Sequence, residues 1–293
     1  MPEIGLAGRV VIVTGAGGAL GRSYAMLLAR RGASVVVNDV GTGDNGPSAD
    51  VVAAEITAAG GRAVANRSSV DNPADAAAIV ASALDAFGQV DAVVNNAGIL
   101  RDRSFAKMTE QEVRDVLEVH VLGAFHVTMA AWPHLKEQGY GRVVNTTSPA
   151  GLYGNFGQAN YAAAKMALVG LTRTLAIEGR KAGIAVNAVA PVAASPMTET
   201  ILPPEALAKI DPDLVAPVVA LLCSAACPTS GSILAAGGGH VARVAVTQGP
   251  GVHFGASISP ETLAKRWDDV ASLNGGLEFD GAAAHGDWLL SQL

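Results

Sequence analysis

Cysteine is scarce in this 293-residue chain, with only Cys223 and Cys227 present. They have no His cluster beside them and no second pair, whereas a structural zinc takes four ligands, so two buried thiols are expected rather than a metal or redox centre. Long apolar runs are also missing. The longest lies around Val218 to Cys223, far below the ~20 residues that span a bilayer. No charge of one sign dominates: the net charge is -6 with acids and bases interspersed, which argues against broad binding to a phosphate backbone. The start, Met1-Pro2-Glu3-Ile4-Gly5, has neither a basic nor an apolar export region. A soluble, cytoplasmic protein with no nucleic-acid or membrane partner is the expectation. Ser291-Gln292-Leu293 looks like a Ser-Lys-Leu organelle address, but it lacks the central basic residue and is read as chance.

Half of the chain is apolar and few residues are aromatic, which fits one large domain or a domain with an appendage. Short β-branched runs alternate with Ala-rich helical stretches: Val10 to Thr14, Ser34 to Asn38, Arg62 to Asn66, Asp91 to Asn95, Arg142 to Thr147, Ile184 to Val189 and Ser232 to Ala236. Continuous apolar strands of this kind are buried on both faces. The pattern predicts an α/β fold, a Rossmann-like doubly wound parallel sheet of about seven strands flanked by helices. Ligands should gather at the carboxyl ends of the strands. The core is expected over residues 1–239. Past Gly237-Gly238-Gly239 the character changes, and residues 240–293 read as a helical and loop appendage on the core or a neighbouring subunit. Within it, Ser259-Pro260-Glu261 signals a helix start, and Leu263, Trp267 and Val270 fall on one helical face.

Tyr161 and Lys165 lie four residues apart in a helical stretch and so project from one face. A fixed ammonium beside a phenol favours the phenolate, which suggests a proton donor and acceptor for an alcohol or carbonyl. For an isolated pair, an ordinary exposed helix face is the more frequent explanation, since such spacings arise freely in helices. The rest of the chain favours chemistry. The first strand runs into Thr14-Gly15-Ala16-Gly17-Gly18-Ala19-Leu20-Gly21 and then a helix. This places backbone amides and a positive helix end where a pyrophosphate can lie. Asp39 ends the second strand about 18 residues beyond Gly21, the spacing at which a carboxylate reaches the adenosine ribose. A carboxylate there repels a ribose phosphate, so NAD rather than NADP is expected.

These residues, with Asn95-Asn96-Ala97-Gly98 and Ser148, resemble the short-chain dehydrogenase/reductase family over residues 6–239. Val37-Asn38-Asp39, the run from Asn95 to Phe105, Tyr153 to Tyr161 and Leu175 to Lys181 look, more narrowly, like its (3R)-hydroxyacyl-CoA dehydrogenase branch, found in the peroxisomal multifunctional enzyme and in bacterial relatives. The resemblance implies Tyr161 as acid/base, with Lys165 lowering its pKa and holding the nicotinamide ribose. Ser148 would bond the reacting oxygen. Gly15, Gly17, Ala19, Leu20 and Gly21 would hold the cofactor phosphates, Asn96, Ser69 and Val70 the adenosine side, and Pro191, Ala194 and Thr198 the nicotinamide. Four positions depart from the family pattern. Ala19 replaces a glycine, Ser68 stands where an Asp is frequent beside adenine, Pro191-Val192 replaces Pro-Gly, and His120 occupies the place of a catalytic Asn. His120 joins a proton relay or satisfies a helix kink.

Arg101, Asp102, Arg103 and Lys107 follow the Asn-Asn-Ala-Gly turn, so Arg101 and Arg103 could meet CoA phosphates at the cleft mouth. A solvated charge cluster is the alternative. The implied activity is NAD-linked oxidation of a 3-hydroxyacyl-CoA. Oxidation of a hydroxysteroid or other secondary alcohol is the nearest rival, and a non-catalytic NAD-sensing module a remoter one. The helices after Thr109 and around Tyr161 resemble subunit-pairing helices of the family, which implies a homodimer or homotetramer.

Overall fold

The computed structural model describes residues 4–41, 48–194, 203–255 and 258–292. The chain divides into two compact units, Met1–Arg243 and Val244–Leu293. The larger is an eight-stranded sheet made of β1 (Val10–Thr14), β2 (Ser34–Asn38), β3 (Arg62–Asn66), β4 (Ala92–Asn95), β5 (Gly141–Thr146), β6 (Ile184–Pro191), β7 (Ile233–Gly237) and β8 (His240–Val244). Their spatial order is β3-β2-β1-β4-β5-β6-β7-β8. The pairs from β3 through β7 are parallel. The doubly wound fold expected from the alternating pattern is therefore present, with one more strand than the seven anticipated. Gly238 and Gly239, at φ 57° and 79°, turn the chain tightly between β7 and β8. Two left-handed residues between strands make the hairpin turn whose twist matches the sheet.

Side chains on the central strands divide between two cores. Val11, Val13, Val35 and Val37 enter one cluster, and Val10, Ile12 and Val36 the other. Covered on both faces, these strands have no polar face to show, which is why they read as unbroken apolar runs. Each fully buried valine contributes on the order of 1.5 to 3 kcal/mol. The covering helices are α1 (Ala19–Arg30), α2 (Ala49–Ala58), α3 (Pro73–Phe87), α4 (Glu110–Leu117), α5 (Gly123–Glu137), α6 (Pro149–Tyr153) and α7 (Ala159–Gly179), followed by Pro204–Leu207 and Ala216–Cys223. Their ends follow local chemistry. The Asn72 side chain accepts from the amides of Ala74 and Asp75 at the start of α3, and Thr109 and Glu112 cap α4 reciprocally. Between α4 and α5 the residues Glu118–Leu122 form a π-turn, a widening of the helix frequently found at functional sites.

β1 is flanked by β2 on one side and β4 on the other, so the strand order reverses there. A crevice opens at such a reversal, beyond the carboxyl ends of the strands. Thr14, Asn38 and Asn95 end β1, β2 and β4 at that edge.

The smaller unit carries short helices at Pro260–Lys265, Trp267–Ala271 and Ala282–Ser291, with a bridge from Gln248 to Leu277. Ser259 and Thr262 cap the first of them with Pro260 in the first turn. The single face expected from Leu263, Trp267 and Val270 is divided, because Arg266 (φ −109°, ψ 19°) interrupts the helix and Trp267 stays 58% exposed. Phe279, His285 and Trp288 pack ring on ring, with centroids 5.1 to 6.0 Å apart. Cys223 is buried at the end of its helix and Cys227 is half-buried beyond it, and both are free thiols. Among the described residues, no helix is long and apolar enough to cross a membrane and no cluster of residues could hold a metal.

Candidate active site

The carboxyl end of β5 leads directly into the reactive segment. Thr147 is buried, its hydroxyl donating to the Lys165 carbonyl at 2.6 Å, and Ser148 caps α6 by accepting from the Ala150 amide at 3.2 Å. Pro149 in the first turn leaves no amide unsatisfied there and fixes the direction of departure. The chain returns through Gly154 and Gly157, both at positive φ, into α7. Tyr161 sits in the first turn of α7 and Lys165 one turn on.

Lys165 is 3% exposed, and its amine donates to the Thr146 carbonyl at 2.7 Å, with Nζ 5.5 Å from the Tyr161 ring centroid. Burial pushes its pKa down to about 7. Burial also raises the Tyr161 phenol above its usual value, a hydrogen bond with Ser148 opposing this and the negative charge of Asp102 adding to it. The expected lowering of Tyr161 by Lys165 is therefore not seen in the protein itself. Desolvation disfavours both charged forms, and the amine is aimed at the end of β5 rather than at the phenol oxygen. The hydroxyls of Ser148 and Tyr161 are nonetheless within hydrogen-bonding reach of each other.

His120 occupies the π-turn, 3% exposed, its ring edge-on to that of Tyr161 at 5.3 Å between centroids. Its Nε2 accepts from the Ile99 amide at 3.0 Å and lies 2.8 Å from the Ile99 carbonyl. Burial, aided by the nearby Lys165, lowers its pKa to about 3, so the ring is neutral at physiological pH. Nδ1 is buried without a protein partner, and so is Oδ1 of Asn95. Both residues line a cavity of about 10 Å³, the room one water needs. A Cβ on Gly98 would overlap the His120 ring, so only glycine fits beneath it.

The glycine turn lies across the crevice. Gly15 has φ 64°, and a Cβ there would come within 2.7 Å of the Ala97 Cα, while one on Gly21 would collide with the Gly15 carbonyl. Gly18 caps α1 with no side-chain bond, and the first amide drawn into the helix is that of Arg22, bonding to Gly18 at 2.7 Å. The amides of Ala19, Leu20 and Gly21 stay at the open helix end, a cradle for an anion. Ala19, at the position of the family's glycine, is the first residue of this helix. Asp39 reaches over this turn, accepting from Gly17 at 2.9 Å and Gly41 at 2.7 Å. Asn96 braces the turn from β4, donating to the carbonyls of Thr14 at 3.0 Å and Gly15 at 3.2 Å.

Val70 is buried against Gly123, with its carbonyl 3.1 Å from Nδ1 of His126, and Ser69 beside it is half-buried. Ser68 is held by its backbone, which bonds to the side chains of Asn38 and Asn66. Pro191 ends β6, and Ala194 donates to the Ile210 carbonyl at 2.7 Å. Thr198 lies outside the described residues. Arg101 and Arg103 lie on the segment leaving β4, but each faces a carboxylate, Asp115 at 3.6 Å and Glu112 at 2.7 Å.

Several supporting residues were not among those expected. Asn95 donates to Thr128 and Asn145, and Asn145 to Thr172, each at 2.9 Å, a buried chain that links β4, β5, α5 and α7 beneath the reactive pair. The available signal was a polar residue at the end of one apolar strand, Asn95, and one before the end of its neighbour, Asn145.

A model of the short chain dehydrogenase family matches residues 9–205. The chain belongs to that family. This oxidoreductase is 54% identical over 276 residues to a short-chain type dehydrogenase/reductase of Mycobacterium tuberculosis, covering 92% of this chain and 96% of that one. It is 36% identical over 274 residues to the hydroxyacyl-CoA dehydrogenase ChsB1 of the same organism, covering 89% and 83%. Among solved structures, the dehydrogenase superposes on full-length peroxisomal multifunctional enzyme type 2 from Drosophila melanogaster with a TM-score of 0.84 and 39% identity. That match takes in 99% of this chain but only half of the larger protein. A 7α-hydroxysteroid dehydrogenase in complex with NADH and a 7-oxo bile acid superposes with a TM-score of 0.73 at 32% identity, over 80% of this chain and 95% of that one. Family and neighbour together indicate a nicotinamide cofactor.

Proposed function

We propose that this dehydrogenase moves hydride between NAD and the 3-hydroxy/3-keto carbon of an acyl-CoA thioester, with Tyr161 as the acid/base. The observation that carries this is the meeting of Ser148 and Tyr161 over the buried Lys165, at the same sheet edge as the glycine cradle. The cradle fits a dinucleotide: glycines where any Cβ would collide, an open helix end, and a carboxylate on the neighbouring strand. Bound there, the nicotinamide would accept or supply hydride. In oxidation, Tyr161 takes the proton of the substrate hydroxyl while Ser148 holds the oxygen, leaving a ketone; reduction is the reverse. Lys165, whose amine bonds the Thr146 carbonyl in the protein alone, would turn to the nicotinamide ribose and stabilise the phenolate once the site is filled. His120 pins the chain after β4 through Ile99, and its neutral ring acts in positioning, with Nδ1 left free for a relay through water.

Asp39 is the reason to prefer NAD, because its carboxylate would repel a ribose phosphate. Arg101, Arg103 and Lys107 are assigned to the CoA phosphates. The two arginine pairs are half-exposed and so worth little, and a phosphate can displace their carboxylates at small cost. Lys107 is exposed and has no carboxylate partner among the described residues. The 7α-hydroxysteroid dehydrogenase likeness favours a second reading, oxidation of a free hydroxysteroid. Phe125, Met129, Met166 and Ile177 stand 40 to 67% exposed on α5 and α7, which supports a homodimer or homotetramer.

The test is NADH formation with a panel of 3-hydroxyacyl-CoA thioesters and free hydroxysteroids, with NAD and NADP in parallel. Thioester oxidation with NAD is the expected result. It should fall by ~10³-fold or more in Tyr161→Phe, which keeps the ring and loses the proton. Turnover of steroids alone, a preference for NADP, or an active Tyr161→Phe would each remove part of the proposal.

A further inference from the structure

The most exposed large apolar side chains of the larger unit are not scattered. Phe156 is 90% exposed, Phe105 82% and Tyr153 73%, in a chain where aromatics make up 4% of residues. All three lie on two segments that are fastened together. The Arg103 amide donates to the Gly157 carbonyl at 2.8 Å, Gln158 donates to Asp102 at 2.7 Å, and Asn160 donates to the Arg101 carbonyl at 3.1 Å. The first segment leaves β4 at the crevice. The second joins Ser148 to Tyr161, so Tyr153 lies about 8 Å along α6 from Ser148 at 1.5 Å per residue. Gly154 (φ 78°) and Gly157 (φ 79°) bracket Asn155-Phe156, and the short loop between them carries Phe156 outward.

Large apolar surface gathered on two bonded segments that lead into Ser148 and Tyr161, rather than scattered singly, points to an apolar ligand. Charge at the same rim is largely neutralised, with Arg101 and Arg103 paired to Asp115 and Glu112. The occupant is fixed by position: whatever reaches Ser148 and Tyr161 with its hydroxyl must lay its remaining length along these segments. We propose that Phe105, Tyr153 and Phe156 are the specificity wall of the site, taking a long aliphatic or fused-ring body and selecting bulky hydrophobic secondary alcohols over short ones. This deepens the reading of the site as a secondary-alcohol dehydrogenase and does not depend on whether the alcohol is borne on a thioester.

The experiment compares kcat/KM for 3-hydroxydodecanoyl and 3-hydroxybutyryl thioesters, and in parallel for 2-dodecanol and 2-butanol, in the wild type, Phe156→Ala, Tyr153→Ala and Phe156→Leu. The long-to-short ratio should fall about tenfold in each alanine variant and recover partly in Phe156→Leu, as apolar contact is lost and regained. A ratio that stays constant overturns the proposal, and a constant ratio with an altered oligomer in sedimentation assigns these residues to a subunit contact. If thioesters are inert but the free alcohols show the shift, the wall stands and the acyl-CoA reading fails. If no alcohol turns over, calorimetric titration with 3-hydroxydodecanoate decides: weaker binding by Phe156→Ala supports the wall, and equal binding overturns it. Circular dichroism and Tm of each variant separate loss of fold from loss of selectivity.

Discussion

Lys165 shows how one side chain couples chemistry to stability. An ammonium enclosed at the end of β5 keeps a single hydrogen bond, to Thr146, in place of its hydration. Its pKa falls from 10.5 in the unfolded chain to about 7. Between those values the unfolded state binds the proton and the folded state does not, so stability rises with pH across that window. Below pH ~7 the amine is charged in both states and the full cost of burying it is present. Lys165→Met removes the titration. The stability of wild type relative to Lys165→Met should climb from pH 7 to 9.5, by up to about 1.4 kcal/mol per pH unit. Urea melts of both proteins at several pH values provide the check, and parallel curves would show that the amine is not buried as described. At this scale much of the site was readable. Tyr161, Lys165, Ser148 and Asp39 stand at fixed spacings from strand ends, so their types and positions could be read together. The direction of the Tyr161 shift could not, because it depends on how much water three elements exclude, and spacing carries no such information.

His120 and Gly98 form a unit of two elements, the π-turn between α4 and α5 and the turn after β4. The ring lies where a Cβ on Gly98 would be, and it holds Ile99 by its Nε2. Gly98→Ala should therefore displace the ring, break the Ile99 bond and cost about 1 to 3 kcal/mol. In a His120→Ala background the same change should cost at least ~1 kcal/mol less, since the obstructing ring is gone. Equal costs in the two backgrounds, by denaturant unfolding, would mean that the two residues do not meet. The sequence offered only a kink at His120 and not a π-turn, since Glu118 to Leu122 continues an ordinary helical pattern and the extra residue is accommodated against α7 and the turn after β4. Strands were legible for the opposite reason: burial on both faces leaves β-branched runs that nothing else explains. β8 had a signal that was read as a boundary. Gly238-Gly239 between two short runs is a hairpin turn, and Val241 and Ala242 follow it too briefly and with too much charge nearby to stand out as a strand.

On the scale of the molecule, the two units differ in how they are held. The larger has two extensive cores, one on each side of the sheet. None of the described residues from 244 to 292 is buried, and Ile258, Trp267, Leu273, Leu289 and Leu290 are 49 to 68% exposed. A segment of this length without a core has little to offset the entropy of ordering its backbone, ~1 to 2 kcal/mol per residue. The proposed homodimer or homotetramer would supply that offset if a second copy covers these exposed side chains. Association stabilises by mass action, so the smaller unit should lose protection on dilution while the larger does not. Hydrogen exchange of the full chain, measured above and below the concentration at which sedimentation shows dissociation, should give fast exchange at 260–271 and 282–291 only in the dilute sample. Protection there that is independent of concentration would mean that the segment is held within one chain, and the oligomer would lose its strongest support.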